Sequence, residues 1–297
     1  MIKAIFWLFF APAIPLFSNA VTYEMSKGRF GDQLMGFLHA KWVSYRYNIP
    51  LLYKPFLHSE EFALHELEEL WTEEKEKSFE RIVTCLDELT DNSLYVIPFF
   101  SDLKEDSIFH PEWPTLAIDW EDRGFRNALR TLFAPRKEIP QIVHEPNCLT
   151  VALHVRKGGG VDHSNSYFIW PMRFAPDSYY IECLHRLRRL FPNREICAHI
   201  FTDDLHPEQL AAKFQSHLPD LHFTYREQGN GPDAHVLDDF FAMAHFDCLI
   251  RSASNFTLVP SLIGDYKVIM TPKHGYWVVA NGSGEYYVDE IDMQVYE

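Results

Sequence analysis

Strand and helix patterns alternate along the second half of the sequence, and this alternation restricts the fold more than any other feature. Amphipathic helical patterns beginning at Pro176, Pro207 and Val236 separate short apolar runs that are typical of buried strands. The predicted strands are Leu149–Val155, Ile196–Phe201, Leu221–Tyr225, Asp247–Ile250 and Tyr266–Met270. Because a parallel pair of strands needs a crossover helix, the alternation predicts an α/β fold with a parallel, doubly wound sheet.

The first of these strands leads into a glycine-rich segment. His154 lies in the strand, and Arg156, Lys157 and three glycines at 158–160 follow it. Ligands of open α/β sheets collect at the carboxyl ends of strands, glycines let backbone N–H groups approach an anion, and a guanidinium fits phosphate oxygens. The segment therefore predicts a pocket for a phosphorylated ligand. The alternative is a core strand followed by a solvated arginine and a flexible hairpin.

Two later strands end in polar residues that could share this pocket. Asp203 follows the strand Ile196–Phe201, and Ser252 follows Asp247–Ile250. The carboxyl ends of parallel strands meet at one edge of a sheet. We therefore expect Arg156, Asp203 and Ser252 to lie near one crevice.

The first half of the chain opens with a strand, a helix and a second strand. Val21–Tyr23 is β-prone, apolar residues then recur at helical spacing from Leu34 to Tyr45, and a strand resumes at Leu51–Tyr53. The loop before the helix carries Gly28 and Gly31, and the N-terminus of a helix favours anions. The alternative is that this turn only packs the helix on the sheet.

The middle of the chain is acidic. The stretch Glu60–Leu89 predicts a helix with a solvated, charged face, and a second helix is expected over Gly124–Phe133. Prolines at 135, 140 and 146 then indicate a domain boundary. The expected division is an N-terminal domain over residues 21–145 and a C-terminal domain over residues 146–297.

The first twenty residues resemble a secretory signal peptide. Lys3 precedes an apolar run from Ala4 to Phe17, and the small-residue pattern at 18–20 suits cleavage. The run is short for a bilayer span. We expect a protein of the secretory pathway, or an exported one, with no stable membrane span after cleavage; an uncleaved anchor and a buried strand are the alternatives.

Charge and cysteine content exclude some classes of partner. The net charge of −15 argues against a nucleic-acid backbone as ligand. The five cysteines are scattered, with no CxxC spacing, so neither a disulfide framework nor a zinc site is predicted.

Four segments resemble, in order, the motifs of one enzyme superfamily. GRFGDQ at 28–33 resembles the GRFGNQ block of the protein O-fucosyltransferases. HVRKGGG at 154–160 resembles the HxR-type motif that they share with the α-1,2- and α-1,6-fucosyltransferases, although Lys157 stands where a second arginine is common. IFTDD at 200–204 and VLDDFFAMAHFDCLIRSASNFTLVPSLIG at 236–264 resemble the second and third blocks.

This resemblance implies a GT-B-like architecture, with two Rossmann-like domains and GDP-fucose bound by the C-terminal one without a metal ion. Carried onto this sequence, Arg156 would neutralise the β-phosphate and His154 would line the donor site. Asp239, beside Asp238, would contact guanine. Phosphate would also be bound by Ser252, Ser254 and Asn255. Asp203 would belong to the second block as a structural cap.

The transfer of a sugar also needs a base that accepts the proton of the acceptor hydroxyl. Asp32 is a candidate because its loop should face the donor across the cleft, and Asp162 and His163 are others. The leading hypothesis is a glycosyltransferase without a prosthetic group that moves fucose from GDP-fucose to a glycan or protein hydroxyl. The alternatives are a transferase of another nucleotide sugar and an inactive, secreted nucleotide- or glycan-binding protein.

Overall fold

A computed structural model describes residues 19–85, 88–98, 118–139, 142, 147–158, 166–228, 230, 236–280 and 283–296. Almost all of the predicted signal peptide, residues 1–18, lies outside the described residues. The candidate bases Asp162 and His163 and the glycines at 159–160 lie outside them as well. Among the helices of the described part, none is long and apolar enough to cross a membrane.

The chain divides into two compact units of discontinuous sequence. The first draws its described residues from Met1–Met25, Gly36–Lys54 and Glu68–Ile118, and the second from Ser26–Met35, Pro55–Leu67 and Asp119–Glu297. This grouping differs from the predicted division at residue 145. The division into domains 21–145 and 146–297 stays a prediction.

Strands and helices follow each other along the described chain. The strands are β1 (Asn19–Tyr23), β2 (Leu52–Tyr53), β3 (Glu69–Leu70), β4 (Arg81–Val83), β5 (Ser93–Ile97), β6 (Leu149–Val155), β7 (Ile196–Thr202), β8 (His222–Tyr225), β9 (Cys248–Arg251), β10 (Val268–Ala280) and β11 (Ser283–Val295). The α-helices are α1 (Phe30–Tyr47), α2 (Leu64–Leu67), α3 (Glu73–Lys77), α4 (Arg123–Leu132), α5 (Ser166–Ile169), α6 (Asp177–Leu190), α7 (Pro207–His217), α8 (Val236–Met243) and α9 (Leu258–Ile263).

The first unit contains a parallel sheet with the order β1-β5-β4 among its described residues. β2 pairs in parallel with β3, and a parallel bridge joins Val21 to Leu51. Helix α1 follows β1 and precedes β2, which confirms the predicted strand-helix-strand opening. Tyr23, Phe37 and Tyr53 are completely buried in this unit, and Phe37 packs edge-on against both tyrosine rings.

The second unit is built on a larger sheet with the order β11-β10-β9-β6-β7-β8 in the part of the chain that the structure describes. All neighbouring strands are parallel except β10 and β11. Apolar side chains of β6, β7, α6 and α7 form a buried cluster on this sheet. The observed parallel pairing confirms the predicted α/β fold with a parallel sheet. The helices are needed because strands buried on both faces exclude water only under such a cover.

The single long helix expected over Glu60–Leu89 is wrong. That stretch forms a 3-10 turn at Ser59–Glu61, the short helices α2 and α3, and the strands β3 and β4. β3 pairs with β2, and β4 pairs with β5. Strand pairing with distant residues therefore overrides the helical propensity of the glutamates and lysines here.

The strand predicted at Tyr266–Met270 is longer than expected. Only Val268–Met270 of β10 pair with β9, whereas β10 as a whole forms an antiparallel hairpin with β11. A proline, two glycines and several charges interrupt the apolar pattern of this hairpin. The sequence therefore shows no regular alternation of polar and apolar residues that would have predicted the hairpin.

Candidate active site

A pocket opens at the carboxyl ends of β6 and β7, beside the turn that follows β9. Every residue that lines it belongs to the second compact unit. The lining residues are Arg29, Phe30, Gly31, Asp32, His154, Arg156, Arg173, Phe201, Thr202, Asp203, Asn230, Val236, Asp239, Ser254, Asn255 and Phe256. Six of the seven predicted site residues are in this set, and the seventh, Ser252, is completely buried next to it.

Arg156 is the first residue after β6 and is half-buried in the pocket wall. Its Nη1 lies 3.5 Å from the Ser254 hydroxyl oxygen. Its guanidinium carbon lies 5.2 Å from the centre of the Phe174 ring, a distance typical of a cation–π contact. The hydroxyl and the ring orient a permanent positive charge at the strand end, where the sequence predicted it.

The backbone after Arg156 has a different use from the predicted one. The amides of Lys157 and Gly158 donate hydrogen bonds to the Asp203 carboxylate, with N···Oδ1 distances of 2.6 Å and 3.2 Å. Gly158 has a φ of 93°, a value that favours glycine. In the described part of the loop, these amides serve Asp203 instead of a ligand anion, so Asp203 has the position of a structural cap.

The Lys157 side chain is also engaged within the protein. Its Nζ lies 2.6 Å from Asp177 Oδ1, and Lys213 Nζ lies 2.5 Å from the other oxygen of the same carboxylate. Burial alone would raise the pKa of Asp177, but the two lysines hold it below its ordinary value. Of the two basic residues after β6, the pocket therefore contains Arg156.

His154 is a buried, neutral member of the pocket wall. Its Nδ1 lies 3.2 Å from the Ser252 hydroxyl, and its ring lies 5.6 Å from that of Phe256. Burial lowers the pKa of His154 to about 3, and the positive charge of Arg251 acts in the same direction. A ring that stays neutral near pH 7 can donate or accept a hydrogen bond but brings no charge to the pocket.

Arg251 holds the turn that carries the predicted serines. Its guanidinium donates to the carbonyl oxygens of Ser252 and Ser254, at 3.3 Å and 2.9 Å, and to the Ser261 hydroxyl at 3.2 Å. Burial lowers its pKa to about 10, so it stays cationic at neutral pH. Arg251 lies in the segment at 236–264 that resembles the third block, but sequence reasoning gave it no role, because that role depends on carbonyl groups that only the folded turn exposes.

Ser254 and Asn255 direct their side chains away from helix capping. Ser254 precedes the 3-10 turn Asn255–Thr257, but its hydroxyl makes no capping hydrogen bond. The Asn255 amide donates to Asp32 Oδ1 at 2.9 Å. The pocket therefore contains the Ser254 hydroxyl beside Arg156, and a carboxylate that Asn255 orients.

Asp32 lies in the first turn of α1, where glycines permit a close approach. A methyl group on Gly31 would come within 2.8 Å of the Phe256 backbone nitrogen and 3.2 Å of the Asn255 carbonyl carbon. The Asp32 side chain itself lies over Gly28. The segment is also anchored by Phe30, whose ring packs against those of Phe62 and Phe240.

We expect Gly31→Ala to destabilise the protein by about 1–3 kcal/mol, because the new methyl group meets backbone atoms that cannot rotate away. The displaced helix start should also separate Asp32 from Asn255. Gly36→Ala in the same helix is the control. Its methyl group would meet, as its nearest atom, a side-chain carbon of the Tyr23 ring at 3.2 Å instead of a backbone atom. Urea unfolding measures both changes. Equal midpoints for Gly31→Ala and the wild type would contradict the tight contact.

Asp239 also lines the pocket and is paired with Arg226. Burial raises the pKa of Asp239 to about 6, with the Arg226 charge acting against this and the neighbouring Asp238 adding to it. Asn230, another lining residue, donates to the Arg226 carbonyl oxygen at 2.7 Å. The residue that was predicted to contact guanine thus presents a partly buried carboxylate to the pocket.

Sequence reasoning did not assign a role to Arg29, Arg173 or Asn230, although all three line the pocket. Arg29 belongs to the GRFGDQ segment, which was the one available signal. Arg173 lies in a 3-10 turn at Pro171–Phe174, outside every motif. No group of three or more histidine, cysteine, aspartate or glutamate side chains in the described residues is arranged to hold a metal ion.

The chain was compared with known proteins at three levels. No protein-family model matches the sequence, and no curated protein is similar to it. A mutant of FUT1 from Arabidopsis thaliana, solved in complex with GDP, superposes with a TM-score of 0.51 at 10% identity and covers 86% of this chain and 70% of that chain. The NodZ α-1,6-fucosyltransferase co-crystallised with GDP superposes with a TM-score of 0.43 at 13% identity, over 94% of this chain and 98% of that one. NodZ from Bradyrhizobium gives a TM-score of 0.41 at 13% identity, over 94% and 99%.

At such low identity, the superposition on FUT1 shows the fold. It confirms the fold that the resemblance of the four sequence motifs implied. The chain has an α/β, GT-B-like fold, which it shares with the FUT1 structure.

Proposed function

We propose that this protein is a glycosyltransferase that moves fucose from GDP-fucose to a hydroxyl group of a glycan or protein, without a metal ion. The observation that carries the proposal is one pocket that holds Arg156 beside Ser254 and Asp32 beside Asn255. A leaving diphosphate needs a fixed positive charge, and an attacking hydroxyl needs a base. The GDP bound in the FUT1 structure, which has the same fold, supports the choice of nucleotide.

The proposed reaction forms one bond and breaks one. The acceptor oxygen attacks the anomeric carbon of the sugar, and the bond from that carbon to the diphosphate breaks, so the electron pair leaves with GDP. Charge grows on the diphosphate as in other glycosyl transfers that pass through an oxocarbenium-like state. Arg156 stabilises that charge, and a carboxylate oxygen of Asp32 accepts the hydroxyl proton.

The remaining lining residues are assigned roles that follow from their charge. His154 is neutral, so it positions the donor by hydrogen bonding and does not neutralise phosphate. Ser254 extends the polar surface beside Arg156. Asp239 accepts hydrogen bonds from the N–H groups of guanine. We also propose export through the secretory pathway, which rests on residues 1–20 of the sequence.

Thermal unfolding with GDP, UDP and ADP tests the donor. A ligand that binds only the folded state raises the melting temperature. We expect the largest rise with GDP in the wild type and in Asp238→Asn, because Asp238 does not line the pocket. In Asp239→Asn, we expect the advantage of GDP over the other two nucleotides to disappear.

Three outcomes would contradict the proposal. Equal rises with the three nucleotides in the wild type would reject guanine and favour a transferase of another nucleotide sugar. A GDP response that requires added manganese or magnesium and is abolished by EDTA would reject the metal-independent reaction. If GDP stabilises the protein but neither transfer nor donor hydrolysis occurs, the nucleotide-binding alternative is correct.

A further inference from the structure

We propose that an exposed row of aromatic rings beside the pocket binds the neutral sugar units of a glycan acceptor. The row, which we term the aromatic strip, consists of Tyr167, Phe168, Trp170, Trp277 and Tyr286. This proposal rests on the proposed function, since it names the acceptor class of the same enzyme. All residues of the strip are described residues of the second unit.

The strip is unusually exposed for its composition. Phe168 is 65% exposed, Trp170 52% and Tyr167 43%. All three lie in one short stretch, at and just after α5. Soluble proteins rarely leave adjacent large rings in water, and contiguous exposed apolar groups mark binding surfaces.

The hairpin β10–β11 extends this surface. Phe168 stacks on Trp277, with ring centres 5.3 Å apart and planes 25° apart. Trp277 pairs across the hairpin with Tyr286, whose ring centre is 5.4 Å away. Rings from two distant parts of the chain thus form one continuous surface.

The strip is continuous with the pocket. Tyr167 stacks on Phe174 at 5.2 Å, and the Arg156 guanidinium carbon lies 5.2 Å from the centre of the same Phe174 ring. The Trp170 ring lies 4.8 Å from the guanidinium carbon of Arg173, which lines the pocket. A molecule that lies along the strip therefore reaches the place where the transferred sugar would be.

The chemistry of the strip favours a neutral glycan. Flat ring faces pack against the C–H groups of a pyranose and leave its hydroxyls in water, and aromatic residues with large, rigid faces dominate binding surfaces. The hairpin carries Glu285, Asp289, Glu290 and Asp292 against Lys273 and His274. This excess of acid disfavours anionic glycans, and it disfavours a second copy of the same acidic hairpin.

The test compares two pairs of substitutions. Phe168→Ala with Trp277→Ala removes the centre of the strip. Tyr276→Ala with Tyr287→Ala is the matched control, because these tyrosines are exposed and stacked at 6.0 Å on the opposite face of the hairpin. Each protein is applied to an array of neutral and anionic oligosaccharides, and the strongest neutral glycan is then titrated in solution. GDP-induced melting shifts and molar mass by light scattering are measured in parallel.

We expect the wild type and the control pair to bind neutral glycans, and the strip pair to lose roughly tenfold or more in affinity, since two ring contacts disappear. The GDP-induced shift should be the same in all three proteins. Absence of neutral glycan binding, a preference for anionic glycans, or unchanged binding by the strip pair would overturn the proposal. A dimer that only the strip pair converts to monomer would also overturn it. Failure of the wild type to bind GDP would reject the proposed function, and the array result would still decide the role of the strip.

Discussion

Arg156→Lys should reduce the rate of transfer, or of donor hydrolysis, on the order of a hundredfold, which corresponds to about 3 kcal/mol of activation free energy. The ammonium group keeps the charge but loses the planar fork that binds two phosphate oxygens at once. Because the charge on the diphosphate grows as the bond breaks, the loss should fall mainly on turnover. Turnover is measured as release of GDP.

The matched control is Arg186→Lys, the same exchange on the outer surface of α6, where Arg186 pairs with Glu182. It should change neither turnover nor melting temperature appreciably, because exposed ion pairs contribute little. Arg156→Lys should also melt close to the wild type. A variant that melts far below the wild type would make Arg156 a structural residue. A stable variant with full activity would remove it from the mechanism.

The buried His154 should make the protein sensitive to acid. The folded-state pKa of His154, about 3, lies below the ordinary value of 6.5. Between these two pH values, His154 is protonated in the unfolded chain and neutral in the folded protein. The contribution of the neutral His154 ring to stability is fully present above pH 6.5 and is lost as the pH falls towards 3. In this range, each pH unit lowers the free energy of unfolding by about 1.4 kcal/mol. About 3 kcal/mol should therefore be lost between pH 6.5 and about 4.5.

His154→Asn removes this titration and keeps a polar group near the position of Nδ1. Its unfolding free energy should therefore depend less steeply on pH than that of the wild type, whatever its absolute stability. His217→Asn changes an exposed histidine of α7 and should keep the wild-type slope. Urea unfolding at several pH values gives these slopes. Parallel curves for the wild type and His154→Asn would show that the pKa of His154 is the same in the folded and unfolded protein, which contradicts the prediction.

Much of the fold could be predicted because local sequence carries its periodicity. The apolar run of β6 and the helical spacing of α6, which begins after Pro176, are properties of neighbouring residues. The rule that links alternating strands and helices to a parallel sheet needs no contact information. Residues 60–89 behaved differently, because β3 and β4 exist only through their pairing with β2 and β5.

The sequence alone determined which chemical groups would be available at the strand ends. Arg156 follows β6 and Asp239 lies in the first turn of α8, and these positions follow from local order. Tertiary structure decided how the groups are used. Asp203 accepts hydrogen bonds from the backbone amides that the sequence predicted for a ligand anion. Asn255 orients Asp32 across 223 residues of sequence. Such pairings are absent from local patterns, because hydrogen-bond partners far apart in the chain are selected only when packing brings their backbones together.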